Sequence, residues 1–174
     1  MAAYLSLDAF QELIDSIVSN PASANPNKAL ANSLLNFHFP ITNGYIIVPE
    51  HHSPESIILR VQRHQCHSGD RIVIHHTVAK TGQATDDTNA SLKQLERALD
   101  LSNPDSGRCW ALLLHGLELR FYEYHRSLPV DERLVPWGLL ASQPPRDSYH
   151  ARSDNVIIEG MLQYMAKHST PDPR

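Results

Sequence analysis

Two short aliphatic runs, SIILRVQR at 56–63 and RIVIHHTV at 71–78, decide the fold of this chain. Both are rich in Ile and Val, which favour strands, and a polar His-Ser-Gly-Asp turn at 67–70 joins them. A connection this short permits antiparallel neighbours. We therefore predict that the two runs pair side by side, with YIIVPE at 45–50 as a further strand before them.

Helical periodicity surrounds these strands. Apolar residues recur at helical spacing over 7–19 and again from 30 to 37, which predicts a helical part over 1–40 with a proline-containing loop at 21–28. A third helix is predicted over 86–101, where Leu92, Leu95 and Leu99 supply the buried stripe. CWALLL and LELRFYEY then form a hairpin around His115 and Gly116, and the last helix covers 153–168.

The order of these elements predicts an α+β fold, a single domain over 1–174 with a mixed central sheet of about five strands flanked by helices. Residues 45–125 form the sheet core with one helix. The proline-rich stretch 126–150 is expected to cross the surface as an irregular strap.

Charge and composition limit the classes of partner. The 174 residues include 15 Lys and Arg against 19 Asp and Glu, a net charge of -4, so the usual basic signature of a nucleic-acid-binding protein is missing. The sequence has neither a signal-peptide pattern nor an apolar run long enough to span a membrane, so we expect no membrane partner. Two cysteines without CxxC spacing predict reduced thiols and no disulfide, hence the cytoplasm, with the nucleus left open.

Three residues stand at positions that carry a family pattern. Glu55 follows Pro54 before SIILRV, Lys80 ends IVIHHTVAK, and Gln94 lies in the helix SLKQLERAL. Over about 45–125 this order resembles the PD-(D/E)XK nuclease-like folds, and the resemblance implies a restriction-endonuclease-like core with Glu55, Lys80 and Gln94 at one cleft. The position two before Lys80 is Val78, so the second metal-binding acid is missing. Because Mg²⁺ needs carboxylate oxygens, the scaffold is expected to have lost metal-dependent nuclease activity, and no metal or cofactor is predicted.

Histidines are the next candidates, since the chain has 11 of them. His75 and His76 lie in a central strand and are our acid/base candidates, although a structural role is the simpler interpretation. Strict alternation would place Ile72, Ile74, His76 and Val78 on one face, and the sequence leaves open which histidine is buried. His64, Cys66 and His67 have no matching second pair of ligands, so they indicate a polar turn rather than a zinc site.

The last hairpin strand offers a second candidate surface. Arg120, Tyr122 and Tyr124 share one face, where stacking and hydrogen bonds could bind an anionic or aromatic ligand. The alternative is an ordinary sheet face covered by the strap. Trp137 is either the lid of such a pocket or a plug that seals the core.

Two functions from different classes follow. The first is a nuclease-inactive scaffold that binds a small molecule or a protein partner. The second is a small metal-independent enzyme, an isomerase, cyclase or lyase, that uses His75 or His76; an active nuclease is the least favoured. The stretch YEYHRSLPVDERLVPWG at 122–138 is similar to uncharacterised proteins of filamentous fungi, which implies a secondary-metabolite pathway as the setting for the enzyme.

Overall fold

The computed structural model describes residues 3–51, 56–67, 70–102, 104, 106–139 and 145–174. Within these ranges the chain forms four α-helices and seven strands. The helices are α1 (Asp8–Ser19), α2 (Ala24–His38), α3 (Thr88–Ser102) and α4 (Asn155–Lys167). The strands are β1 (Tyr45–His51), β2 (Ile57–His67), β3 (Asp70–Gly82), β4 (Arg108–His115), β5 (Glu118–His125), β6 (Leu134–Pro136) and β7 (Tyr149–His150).

The strands form one mixed sheet in the order β1-β2-β3-β4-β5-β6, with β7 also paired to β5. All neighbours are antiparallel except β3 and β4, which are parallel and connected through α3. The α+β class and the pairing of 57–63 with 71–78 are thereby confirmed. The sheet has two strands more than expected, because the proline-rich stretch contributes the short β6 and β7 beside β5.

Both faces of the sheet are covered, but unequally. The larger buried cluster lies between the sheet and α1, α2 and α4, with residues such as Phe10, Leu34 and Met161. The smaller cluster lies under α3 and includes Leu95 and Leu99 of the predicted stripe. Strand β4 contributes to both clusters, which is why its sequence CWALLL is a continuous apolar run rather than an alternating one.

Helix α2 begins earlier than its periodicity indicates. The loop predicted at 21–28 is wrong from Ala24 onward, where the helix already starts. Pro26 lies in the first turn, where a missing backbone N–H costs nothing because the first N–H groups of a helix have no intrahelical partner. Asn27 is buried and donates from Nδ2 to the carbonyl oxygen of Gly82 at 3.3 Å, so this turn is tied to the end of β3.

A β-bulge corrects the predicted alternation of β3. Thr77 pairs with Val61, but His75 pairs with Gln62, so His76 is the extra residue. An extra residue changes the face on which the following side chains lie. As a result His76 contacts the rings of Phe39 and Tyr45, whereas Val78 belongs to the cluster under α3. The prediction that His76 and Val78 share a face is therefore wrong.

Candidate functional site

A cavity of about 570 Å³ opens beside α3, on the face of the sheet that this helix covers. Its polar lining includes Lys80 from β3, Asp86 and Asp87 from the loop before α3, and Gln94 and Arg97 from α3 itself. Ile58, Ala98 and Leu101 give it an apolar wall. We call this cavity the α3 cleft. A volume of this size fits a small organic ligand.

Lys80 is the most unusual residue in the α3 cleft. It stands opposite Ile58 of β2 and Leu113 of β4, and it is only 3% exposed. Its Nζ donates to the carbonyl oxygen of Thr81 at 3.3 Å and forms no ion pair with a carboxylate of the described residues. Burial lowers the pKa of Lys80, and the Asp86 carboxylate opposes this shift. The amine is thus held in a place that disfavours its charge.

Asp86 is fixed by the loop that leaves β3. Its Oδ2 accepts a hydrogen bond from the backbone N–H of Gln83 at 2.9 Å. The loop also needs a glycine at position 82, because a Cβ there would collide with Asp86 Oδ2 and would lie 3.0 Å from His115 Nε2. Asp87 caps α3 instead, since its Oδ1 accepts from the N–H of Asn89 at 2.9 Å. Asp86 therefore holds the loop that leaves β3, whereas Asp87 caps α3.

His115 lies behind Gly82 at the end of β4. It is 3% exposed, and its Nε2 has no hydrogen-bond partner among the described residues. Burial lowers its pKa, and the positive charge of Arg120 lowers it further. The sequence pattern placed His115 in a hairpin link and Asp86 at the start of the third predicted helix. The signal that could have drawn attention to them is topological: in sheets with parallel strands, ligands bind outside the carboxyl ends, where Gly82 and His115 end β3 and β4.

The predicted cleft residues are in part brought together. Lys80 and Gln94 both line the α3 cleft, from β3 and from the exposed side of α3. Glu55 lies outside the described residues, as does the rest of 52–55. Ser56, the next residue along the chain, lines the same cleft.

The histidine pair is not part of the α3 cleft. His76 is 0% exposed, its Nε2 donates to the carbonyl oxygen of Met165 at 2.9 Å, and its Nδ1 accepts from the Thr77 hydroxyl at 2.7 Å. Burial lowers its pKa to about 4. These contacts connect β3 to α4 on the face opposite Lys80. His75 is half-buried in β3.

The residues of the second candidate surface do not lie together. They are Arg120, Tyr122, Tyr124 and Trp137. Arg120 and Tyr122 line a second cavity of about 290 Å³, together with Thr88 at the start of α3. Tyr124 is buried and donates its hydroxyl hydrogen to Asp100 of α3. Trp137 lies on the other face, where its ring is 4.8 Å from that of Trp110 and 5.3 Å from that of Tyr164. Of these four residues, only Arg120 and Tyr122 line the second cavity. Trp137 packs against the buried core instead of covering a pocket.

Comparison with protein-family models, with curated proteins and with solved structures gives no match to this chain. In the part that the structure describes, no group of three or more His, Cys, Asp or Glu side chains could hold a metal ion. No helix among the described residues has both the length and the apolar character needed to cross a membrane. The candidate site therefore has to be judged on its own geometry.

Proposed function

We propose that this protein binds a small organic molecule in the α3 cleft. One observation carries the proposal: Lys80 is almost completely buried, it lines a cavity of about 570 Å³, and its amine forms no ion pair with a carboxylate of the described residues. A buried polar group that is poorly satisfied costs about 1–3 kcal/mol, and more if it is charged. A ligand oxygen placed at Nζ would recover that cost.

The lining indicates the chemistry of the ligand. Ile58, Ala98 and Leu101 offer an apolar wall for a hydrocarbon or ring. Lys80 contributes a hydrogen-bond donor to this lining, and the carboxylates of Asp86 and Asp87 contribute acceptors. The expected ligand is therefore amphipathic, with a carbonyl-type oxygen next to groups that donate hydrogen bonds.

We further propose that the scaffold is nuclease-like but does not cut nucleic acids. The position of Lys80 near the end of β3 and of Gln94 on the next helix, both lining one cleft, supports the scaffold part of this proposal. Val78, where the family pattern has its second acid, is buried in the apolar cluster under α3. A metal-dependent phosphodiesterase needs carboxylate oxygens at that point.

A ligand screen by thermal denaturation tests the binding proposal. A ligand present at about 100 times its Kd stabilises a protein by about 2.7 kcal/mol, which raises the Tm of a chain of this size by roughly 5 to 10 °C. Ala90→Trp fills the mouth of the cleft and should abolish this increase. Lys93→Trp is the matched control, because Lys93 is exposed on α3 and does not line the cleft. Ligands that raise the Tm of the Ala90→Trp protein as much as that of the wild type would contradict the proposal.

A further inference from the structure

The amine of Lys80 is placed to react as well as to bind. It is buried, it faces the α3 cleft, and its hydrogen bond to Thr81 is long at 3.3 Å. The surface lysine Lys93, by contrast, is exposed to water. A lysine that is removed from water and, as Lys80 does among the described residues, lacks a carboxylate partner favours its neutral form, and the neutral amine is the nucleophile. Burial lowers the pKa of Lys80 in agreement with this geometry.

We propose that Lys80 forms an imine with an aldehyde or ketone carbonyl of the ligand in the α3 cleft. This inference rests on the proposed function and names the ligand class more closely. The Nζ lone pair attacks the carbonyl carbon, a C–N bond forms, and the π electrons move to oxygen. Two amine protons then leave with that oxygen as one water molecule, which gives C=N. The reaction is reversible and needs no oxidant, reductant or metal.

Asp86 is the group that transfers these protons. It lines the same cleft as Lys80, and the N–H of Gln83 fixes its Oδ2 at 2.9 Å. Asp86 forms no ion pair with Nζ, so the carboxylate accepts the proton of the attacking nitrogen through one water molecule and returns it to the oxygen that leaves as water. Gly82 makes this position available, since any Cβ there would collide with Asp86 Oδ2.

The second cavity does not offer the same chemistry. Its lining includes Arg120 and Arg146, and a guanidinium stays protonated and is no nucleophile at neutral pH. Among the described residues its lining has no lysine, so imine formation is expected in the α3 cleft and not in the second cavity.

Reductive trapping on the full chain tests the inference. The protein is incubated at pH 7 with 4-hydroxybenzaldehyde, an apolar ring that carries a carbonyl, and with cyanoborohydride, which converts an imine into a stable secondary amine. Peptide mass spectrometry locates the adduct. We expect one adduct per chain on Lys80, formed at least about tenfold faster than that on Lys93. Lys80→Arg keeps a long side chain that donates hydrogen bonds but has no nucleophilic amine, so it should remove the adduct.

Three further variants keep the test decisive if Lys80→Arg does not fold. Ala90→Trp should prevent labelling of Lys80, whereas Lys93→Trp should not. Asp86→Asn retains an oxygen that can accept from Gln83 N–H, and it should slow labelling of Lys80 at least about tenfold. An unchanged rate in Asp86→Asn would overturn the role of Asp86 in proton transfer.

Labelling of Lys80 no faster than that of Lys93 would overturn the inference. This failure is distinct from a failure of the proposed function. If ligands raise the Tm of the wild type but not of Ala90→Trp, and no adduct forms on Lys80, then the cleft binds its ligand without covalent chemistry. If Lys80 is labelled equally in the Ala90→Trp protein, the reaction does not take place in the α3 cleft.

Discussion

Lowering the pH should destabilise the fold through His76. In the folded chain both ring nitrogens of this histidine are already used, since Nε2 donates to Met165 and Nδ1 accepts from Thr77. The rings of Phe39 and Tyr45 lie 5.0 and 5.3 Å from the imidazole. A second proton, on Nδ1, would require the Thr77 hydroxyl to turn from donor to acceptor and would place a charge among these rings. Burial accordingly lowers the pKa of His76 from 6.5 to about 4.

The sign and size of the effect follow from the difference between the pKa of His76 in the folded chain and its pKa in the unfolded chain. Above pH 6.5 His76 is neutral in the folded and the unfolded chain, so its contribution to stability is constant. Between pH 6.5 and 4 the unfolded chain binds a proton that the folded chain does not, and the free energy of unfolding falls by about 1.4 kcal/mol per pH unit. From pH 7.5 to 5 the loss is about 2 kcal/mol, and it levels off at about 3.4 kcal/mol below pH 4.

A variant isolates this contribution from that of other histidines. Burial also lowers the pKa of His38 and of His115, so the wild-type curve contains more than one histidine. His76→Gln does not titrate, yet its amide can donate to Met165 and accept from Thr77. Urea denaturation, followed by tryptophan fluorescence at pH 7.5, 6.5, 5.5 and 5.0, gives the free energy of unfolding of both proteins. We expect the advantage of the wild type over His76→Gln to shrink by about 2 kcal/mol between pH 7.5 and 5.0. Parallel curves for the two proteins would refute the reasoning.

Three further outcomes are expected. The purified protein should not cut DNA or RNA with Mg²⁺ or Mn²⁺; cleavage that Glu55→Ala abolishes would overturn the nuclease-inactive proposal. Binding to duplex DNA, measured by fluorescence anisotropy at physiological salt, should be weak because the net charge is -4, and a tight complex with a steep salt dependence would contradict this. Leu112→Ala should lower the free energy of unfolding by about 2–5 kcal/mol, since Leu112 is fully buried in β4. Leu101→Ala is its control in urea denaturation and should change that value by less than about 0.5 kcal/mol, because Leu101 is 70% exposed; equal losses would show that the core is not where we place it.

The sequence predicted the sheet better than it predicted the site. The pairing of β2 with β3 could be predicted because a short polar turn leaves few other arrangements. The face of His76 could not, because a bulge depends on how both strands fit and leaves no mark in the alternation of one strand. Asp86 and His115 are 29 residues apart, and they meet at Gly82 only because α3 returns the chain parallel to β3.

Lys80 and Gln94 line one cavity, but their order in the sequence gave no reason to expect a lysine without a carboxylate partner among the described residues. That property depends on depth. Lys80 is buried because β3 lies inside the sheet, between β2 and β4, with α3 above it. Hydrophobic periodicity predicts which apolar side chains are buried, but it does not predict the burial of a lysine, so the reactive character proposed for Lys80 depends on the structure.

The position of both cavities follows from the unequal covering of the sheet. Three helices, α1, α2 and α4, pack on one face and close it around His76 and Trp137. On the other face, α3 packs on the smaller cluster. A helix is about 10 Å wide, whereas the four strands β2 to β5 span about 14 Å between their axes. The flanks of α3 are therefore left open. The α3 cleft lies toward β2 and the second cavity toward β5, so ligands are expected on this face of the sheet and not on the other.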